Sequence, residues 1–236
     1  KKKLISKILS VKSKEFCEVA LSSIIVKVSK QKGETIYSSV DKDIKDYDVI
    51  KQYLNKLKDM RKRIAEFNES AGTGWLKVHI DDARSLKKVH DIADLAITSP
   101  PYPNAFDYHL YHKHRISWLG HNPLDVKKVE IGSHLNYQGK KVDEVAIFSS
   151  DFLQHLKSIN KKIKLGGYYC IVIGDSKFHG NIIHNAAIII ELAQQSGFEC
   201  SSNITRPLPV TKRSFNINAR RANKENILIL RKNHEL

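Results

Sequence analysis

Cysteine is scarce in this chain, and the three that exist, Cys17, Cys170 and Cys200, lie far apart. Such spacing makes neither a zinc-binding pattern nor a disulfide framework, so buried free thiols in a reducing cytoplasm are the expectation. Long apolar runs are absent as well. The best candidate, Ile182 to Leu192, is interrupted by His184, Asn185 and Glu191, and nothing reaches the length of a membrane span. Three lysines open the sequence with no apolar region behind them, so nothing there reads as a signal peptide. There is no internal repeat. Acidic charge is in the minority, with 25 Asp and Glu against 40 Lys and Arg and a formal net charge of +15. The excess is spread along the whole chain. That points to a polyanionic partner, nucleic acid first, with solubility or a bias of the source organism as the plainer alternative.

What is present reads as globular. The 236 residues, 41% apolar and 28% charged, can bury one full core or a core with an appendage. Apolar residues at helical spacing predict helices over 13–28 and 42–68, the second with Ile44, Tyr47, Ile50, Leu54, Leu57, Met60, Ile64 and Phe67 on one stripe. Ser70 to Gly74 break the pattern. From there short apolar strands alternate with helices. Strands are expected at Leu76–Ile80, Leu95–Ile97, Tyr168–Ile173, Glu199–Thr205 and Asn226–Arg231, and helices at Phe148–Ile163 and Ile182–Gln195. Gly166-Gly167 reads as a turn, Gly197 as a helix end, and Asn122 to Asp143 as a long loop. The fold class is therefore α/β with a largely parallel sheet. Residues 1–74 form an N-terminal helical region, and 75–236 the part carrying the sheet, with a basic loop at 206–221.

In such sheets ligands bind beyond the carboxyl ends of the strands. Three of those ends are polar: Asp81-Asp82, Thr98 to Tyr102, and Gly174-Asp175-Ser176. The second is the informative one. Proline has no N–H, so Ser99-Pro100-Pro101-Tyr102 presents carbonyl oxygens without competing donors on a backbone that two rings hold still. Acceptors of that kind suit an exocyclic base amine. They take its two hydrogens and release a lone pair otherwise delocalised into the ring. The Ser99 hydroxyl adds an acceptor, and Tyr102 a ring on which a flipped base can stack. The plain alternative is a Pro-Pro turn that ends a strand and packs a tyrosine.

Thr98-Ser99-Pro100-Pro101-Tyr102 resembles the catalytic motif of S-adenosylmethionine-dependent amino-group DNA methyltransferases, the modification methylases, above all their cytosine-N4 type. Asp107-Tyr108, Trp118-Leu119-Gly120, Glu130 to His134, Gly166-Gly167, Ile173-Gly174-Asp175 and Glu225 to Leu228 are similar to segments that follow the motif in one branch of that family. The resemblance spans residues 76 to 232. It implies a Rossmann-like methyltransferase sheet, S-adenosyl-L-methionine as cofactor, and DNA as substrate. It further implies Ser99 to Tyr102 as catalytic residues, and Asp82, with Thr98 and Asp175, on the cofactor side of the cleft. Asp82 matches the residue that meets the adenine end, and a carboxylate can accept from that amine; it is equally a good cap for a following helix. Asp175 could instead cap its own turn.

Lys212, Arg213, Arg220 and Arg221, interleaved with Ser214, Phe215 and Asn216, suit phosphate contacts between two strands, or else a solvated loop. His109, His112, His114 and His121 lack the converging spacing of a metal site and suit a helix near DNA better. One family feature is missing. No Asp-Pro-Phe-x-Gly-Ser-Gly loop precedes the motif, and Ala71-Gly72-Thr73-Gly74 is the nearest glycine pair, with no apolar strand before it. The strands counted from Leu76 match the third to seventh of a seven-stranded methyltransferase sheet, whose first two lie between the third and fourth. The sheet is therefore expected to be incomplete, with two strands supplied by a second polypeptide or an N-terminal segment outside this sequence. Adenine-N6 methylation is the nearest rival activity, with an RNA methyltransferase or a non-catalytic DNA-binding subunit behind it. A cysteine nucleophile for cytosine-C5 chemistry is not apparent, since Phe16, Tyr169 and Glu199 precede the three thiols.

Overall fold

Helical spacing does set the long helices. A computed structural model describes residues 5–8, 10–33, 36–103, 107–133, 143–178, 181–208 and 224–236. The chain divides into two units, Lys1–Lys77 with Tyr108–Glu130, and Val78–Asp107 with Ile131–Leu236. The sequence alone draws the division at 74 and does not place 108–130 with the first unit.

In the first unit α1 (Val11–Val28) starts where the Ser10 side chain accepts from the Ser13 amide. It buries Ala20, Leu21, Ile24, Ile25 and Val26, and its core gathers Ile5, Val49 and Tyr53. The polar stretch after it forms an antiparallel pair, β1 (Gln31–Gly33) and β2 (Ile36–Ser39). Helix α2 (Asp46–Ser70) follows. No residue of α2 is fully buried, and Tyr47, Ile50, Leu54, Ile64 and Phe67 on its apolar stripe stay exposed. Three short helices complete the unit, α3 (Tyr108–Tyr111), α4 (Lys113–Trp118) and α5 (Pro123–Val129). The last corrects the expected long loop. Asn122 accepts from the Leu124 amide at 3.0 Å and Pro123 opens the first turn, two start signals that outweigh weak periodicity.

The second unit is built on four strands, β3 (Ala93–Thr98), β4 (Ile163–Gly174), β7 (Phe198–Pro207) and β8 (Lys224–Lys232). Their order across the sheet is β3–β4–β8–β7. β3 and β4 are parallel, and β8 runs antiparallel to both β4 and β7. The sheet is thus mixed, not largely parallel, because β8 follows β7 directly as its ladder partner and must reverse. The fold is α/β as expected. Between β4 and β7 lie a small antiparallel pair, β5 (Ser176–Phe178) with β6 (Asn181–Ile183), and α7 (Asn185–Gln194). Ile182 and Ile183, read as helical, belong to β6. Gly166-Gly167 is no turn between elements. It lies inside β4, where the register against β3 slips from Ala93↔Ile163 to Leu95↔Tyr168. Gly166 holds φ +77 there, and Gly197 holds φ +78 beyond α7.

Helices α6 (Glu144–Asn160) and α7 cover one face of the sheet. Phe148, Phe152, Leu156, Ile189 and Ala193 meet Tyr169, Ile171, Ile173, Leu228 and Leu230 in a closed core. The other face carries Leu95 and Ile97, which are 50% and 71% exposed, in line with Tyr168 and Ile204. β3 is an edge strand on that side. The segment Leu76–Ile80, expected as a strand, is not one. A strand exists only where a neighbour takes its hydrogen bonds, and here Leu76, Val78 and Ile80 are 86%, 81% and 88% exposed.

Candidate functional site

Parallel pairing to β4 fixes where β3 ends. Thr98 lies opposite Ile171, and the chain leaves the sheet there into Ser99-Pro100-Pro101-Tyr102. Ser99 is exposed, Pro100 is buried, and Pro101 and Tyr102 are half-buried. The prolines hold this strip without presenting an N–H. Two contacts brace its far end. Gly132, at φ +74, comes so close that an added Cβ would sit 3.2 Å from Pro103 Cα. Fully buried Ser133 donates to Asp107 Oδ1 at 2.8 Å. Gly132-Ser133 and Asp107, noted in the sequence without a role, therefore support the motif.

Tyr102 is placed by two further strands. Its ring lies over Gly174 at the end of β4, where a Cβ would be 3.0 Å from Cε2. Its hydroxyl donates to Glu225 Oε1 at 2.8 Å. Asp175, next along, has a half-buried side chain facing His184 Nδ1 at 3.2 Å. Asn185, buried at the start of α7, donates to the Gly174 carbonyl at 2.8 Å and to Ser176 Oγ at 2.7 Å. The ends of β3 and β4 thus lie side by side, whereas Asp81-Asp82, expected as a third strand end on the same edge, follows no strand. The sequence notes Gly174 and Glu225 only as parts of longer segments and gives neither a contact with Tyr102.

The Asp81-Asp82 turn rests on α6. Asp151, His155 and Ser158 lie along one stripe of that helix. Asp151 pairs with Arg84 at 3.3 Å, and Ser158 donates to the Arg84 carbonyl at 2.7 Å. His155 Nδ1 meets the Ala83 carbonyl at 2.7 Å and its Nε2 meets the Tyr169 hydroxyl at 2.6 Å. A carbonyl can only accept, so Nδ1 carries the proton and the phenol donates to Nε2. Asp82 does not cap a helix, since turns follow it. Its Oδ1 accepts from the Arg84 amide, and both oxygens accept from the Arg84 guanidinium. That guanidinium holds the Asp82 carboxyl below its ordinary value.

Burial pushes the His155 pKa below its ordinary 6.5, against a smaller opposing effect of the Ala83 carbonyl. The folded state therefore resists protonation that the unfolded chain accepts. The stability His155 supplies is complete above pH 6.5 and is lost as pH falls from there toward the lower folded value. The gap in urea midpoint between the parent and His155→Gln is expected to narrow on going from about pH 8 to about pH 5. A constant gap across that range would show that the imidazole is not held neutral.

Other candidates fall elsewhere. Lys212, Arg213, Arg220 and Arg221 lie outside the described residues. His109 is buried, with Nδ1 2.7 Å from Glu130, so it faces inward. Glu130 also accepts from the Tyr108 and His109 amides. No three His, Cys, Asp or Glu side chains converge among the described residues, and no described helix is long and apolar enough to cross a membrane.

No protein-family model matches the chain, and no curated protein matches it. Solved structures similar to it include a Thermus thermophilus protein described as a DNA modification methylase, in complex with S-adenosyl-L-methionine. It is 18% identical, with a TM-score of 0.42 over 68% of this chain and 54% of that one. The cytosine-N4-specific PvuII DNA methyltransferase is 16% identical, with a TM-score of 0.41 over 66% and 49%. The chain spans about half the length of these two structures.

Proposed function

We propose that the chain is the base-binding part of a DNA methyltransferase that transfers a methyl group from S-adenosyl-L-methionine to an exocyclic amine, cytosine N4 in the first place. The observation that supports this most is the rigid strip Ser99–Pro101 at the sheet's carboxyl edge, whose two prolines present no N–H, with the Tyr102 ring held beside it. Its carbonyls and the Ser99 hydroxyl hold the amine hydrogens, bend the nitrogen toward tetrahedral geometry and free its lone pair. Tyr102 supports the base that is taken out of the stack. DNA from cells expressing the intact protein, digested to nucleosides and weighed by mass spectrometry, should contain N4-methylcytosine. N6-methyladenine instead would support the rival amine, and neither product would defeat the reading.

The cofactor does not fit the described residues completely. Asp82 already holds Arg84, and a Cβ added at Gly72 or Gly74 would point into open space, so no close approach there calls for a glycine. The edge position of β3 among the described strands and the exposed apolar side chains of Leu76, Val78 and Ile80 support a sheet completed by two more strands, from a second polypeptide or another segment of the protein. Isothermal calorimetry on these 236 residues should then show weak S-adenosyl-L-methionine binding or none. Tight binding by this chain alone would refute the incomplete sheet.

DNA affinity should fall steeply with salt, as the charge of +15 requires. Reversing Arg213, Arg220 and Arg221 to Glu is expected to flatten the slope of log K against log salt by up to roughly 3, about 0.9 per phosphate contact removed. An unchanged slope would take the basic segment out of the DNA contact.

A further inference from the structure

Gly174, Glu225 and Arg206 form one row across three strands. Glu225 is the register partner of Gly174 on β4 and of Arg206 on β7. Tyr102 lies over the glycine end of this row. Its hydroxyl donates to Glu225 Oε1 at 2.8 Å, and Arg206 Nη2 donates to Glu225 Oε2 at 2.5 Å. The Glu225 side chain is 14% exposed and that of Arg206 56%. Beyond Arg206 and Pro207 the chain enters the basic segment, and it returns at Lys224.

We propose that Glu225 is a positioning residue that sets the orientation of the Tyr102 ring and ties it, through Arg206, to the strand ends that carry the basic segment. This rests on Tyr102 receiving a base. A tyrosine ring has two torsions to settle. Gly174 lets the ring approach the backbone on one side, where a Cβ would crowd Cε2 at 3.0 Å, but that contact alone leaves the ring free to slide. A hydrogen bond to an ionised acceptor, stronger than a neutral one, fixes the far end. Arg206 in turn holds the carboxylate in one rotamer. The arrangement also explains a carboxylate beside a segment suited to phosphates. Unneutralised, it would repel the backbone of DNA, and Arg206 offsets its charge.

Affinity for a short, labelled single-stranded DNA, read by fluorescence anisotropy on the full chain at fixed salt, tests this. Tyr102→Ala should weaken binding roughly tenfold, as loss of a stacking ring does. Glu225→Ala and Glu225→Gln remove the same charge, so their long-range electrostatics cancel. Gln still accepts from the Tyr102 hydroxyl, and Glu225→Ala should bind roughly threefold to tenfold more weakly than Glu225→Gln. Tyr102→Phe, which keeps the charge and the ring, should lose roughly threefold and guards against a misfolded alanine variant. Adding Glu225→Ala to Tyr102→Ala should then cost no more than adding Glu225→Gln. Equal affinity of the two Glu225 variants, or parental affinity of Tyr102→Phe, overturns the positioning role while a weakened Tyr102→Ala keeps the ring as a base platform. Parental affinity of a folded Tyr102→Ala removes both.

Discussion

On the proposed function, Tyr102→Ala is expected to lower methyl transfer to DNA by roughly a hundredfold or more while the sheet stays folded. The ring is half-buried at the edge of the core and held through Gly174 and Glu225, so its loss removes a platform without opening the central layer. A misplacement of about 1 Å in a positioned reactant can cost about a hundredfold in rate, and an unsupported base is free to move further. Pro101→Ala acts differently. It introduces an N–H at a position where proline has none and loosens the backbone that preorganises the strip, so a loss of roughly tenfold or more is expected. Initial rates with tritium-labelled cofactor and the intact protein measure both, with circular dichroism confirming the fold. Normal rates in both variants would move the active site elsewhere.

Gly167→Ala should have the largest effect on stability. An added Cβ would sit 2.8 Å from the Asp94 carbonyl oxygen on β3 and 2.7 Å from Ile163 Cγ2. The first obstacle is backbone on the neighbouring strand, which cannot swing aside as a side-chain tip can. Relief requires β3 to pull away from β4 at the irregularity that sets their register. A loss of about 2–3 kcal/mol is expected, as for other overpacked sites, read from urea midpoints. Because the same register places Thr98 opposite Ile171, methylation should fall as well. A midpoint equal to the parent's would show that the two strands are not packed this closely.

Much of this was legible in the sequence, for identifiable reasons. Helices α1, α2, α6 and α7 follow from apolar spacing, and the motif at the end of β3 from two prolines after an apolar run. What stayed hidden depends on partners distant in the chain. Leu76–Ile80 alternates as a strand should, yet alternation states only which face a residue takes, not whether a neighbour exists to pair with. The reversal of β8 depends on strand order, which periodicity does not encode. The Tyr102–Glu225 bond joins residues 123 positions apart, and a single glutamate at the start of a strand carries no mark of its partner. Gly132 and Gly167 read as ordinary glycines until the backbone they admit, at Pro103 and Asp94, is in place.

From Ser202 the ladder between β7 and β8 stays in register out to Pro207↔Lys224, one pair beyond Arg206↔Glu225. The two ends of the basic segment are therefore clamped at a fixed separation whatever lies between them. Closing a longer loop onto such a clamp costs only about 0.6 kcal/mol for each doubling of its length. Insertions, deletions and wholesale replacement between those ends can accumulate at little thermodynamic penalty, while the row beneath keeps the tyrosine in place. On the proposed function, this is the stretch in which a lineage can vary the DNA it contacts without disturbing the tyrosine.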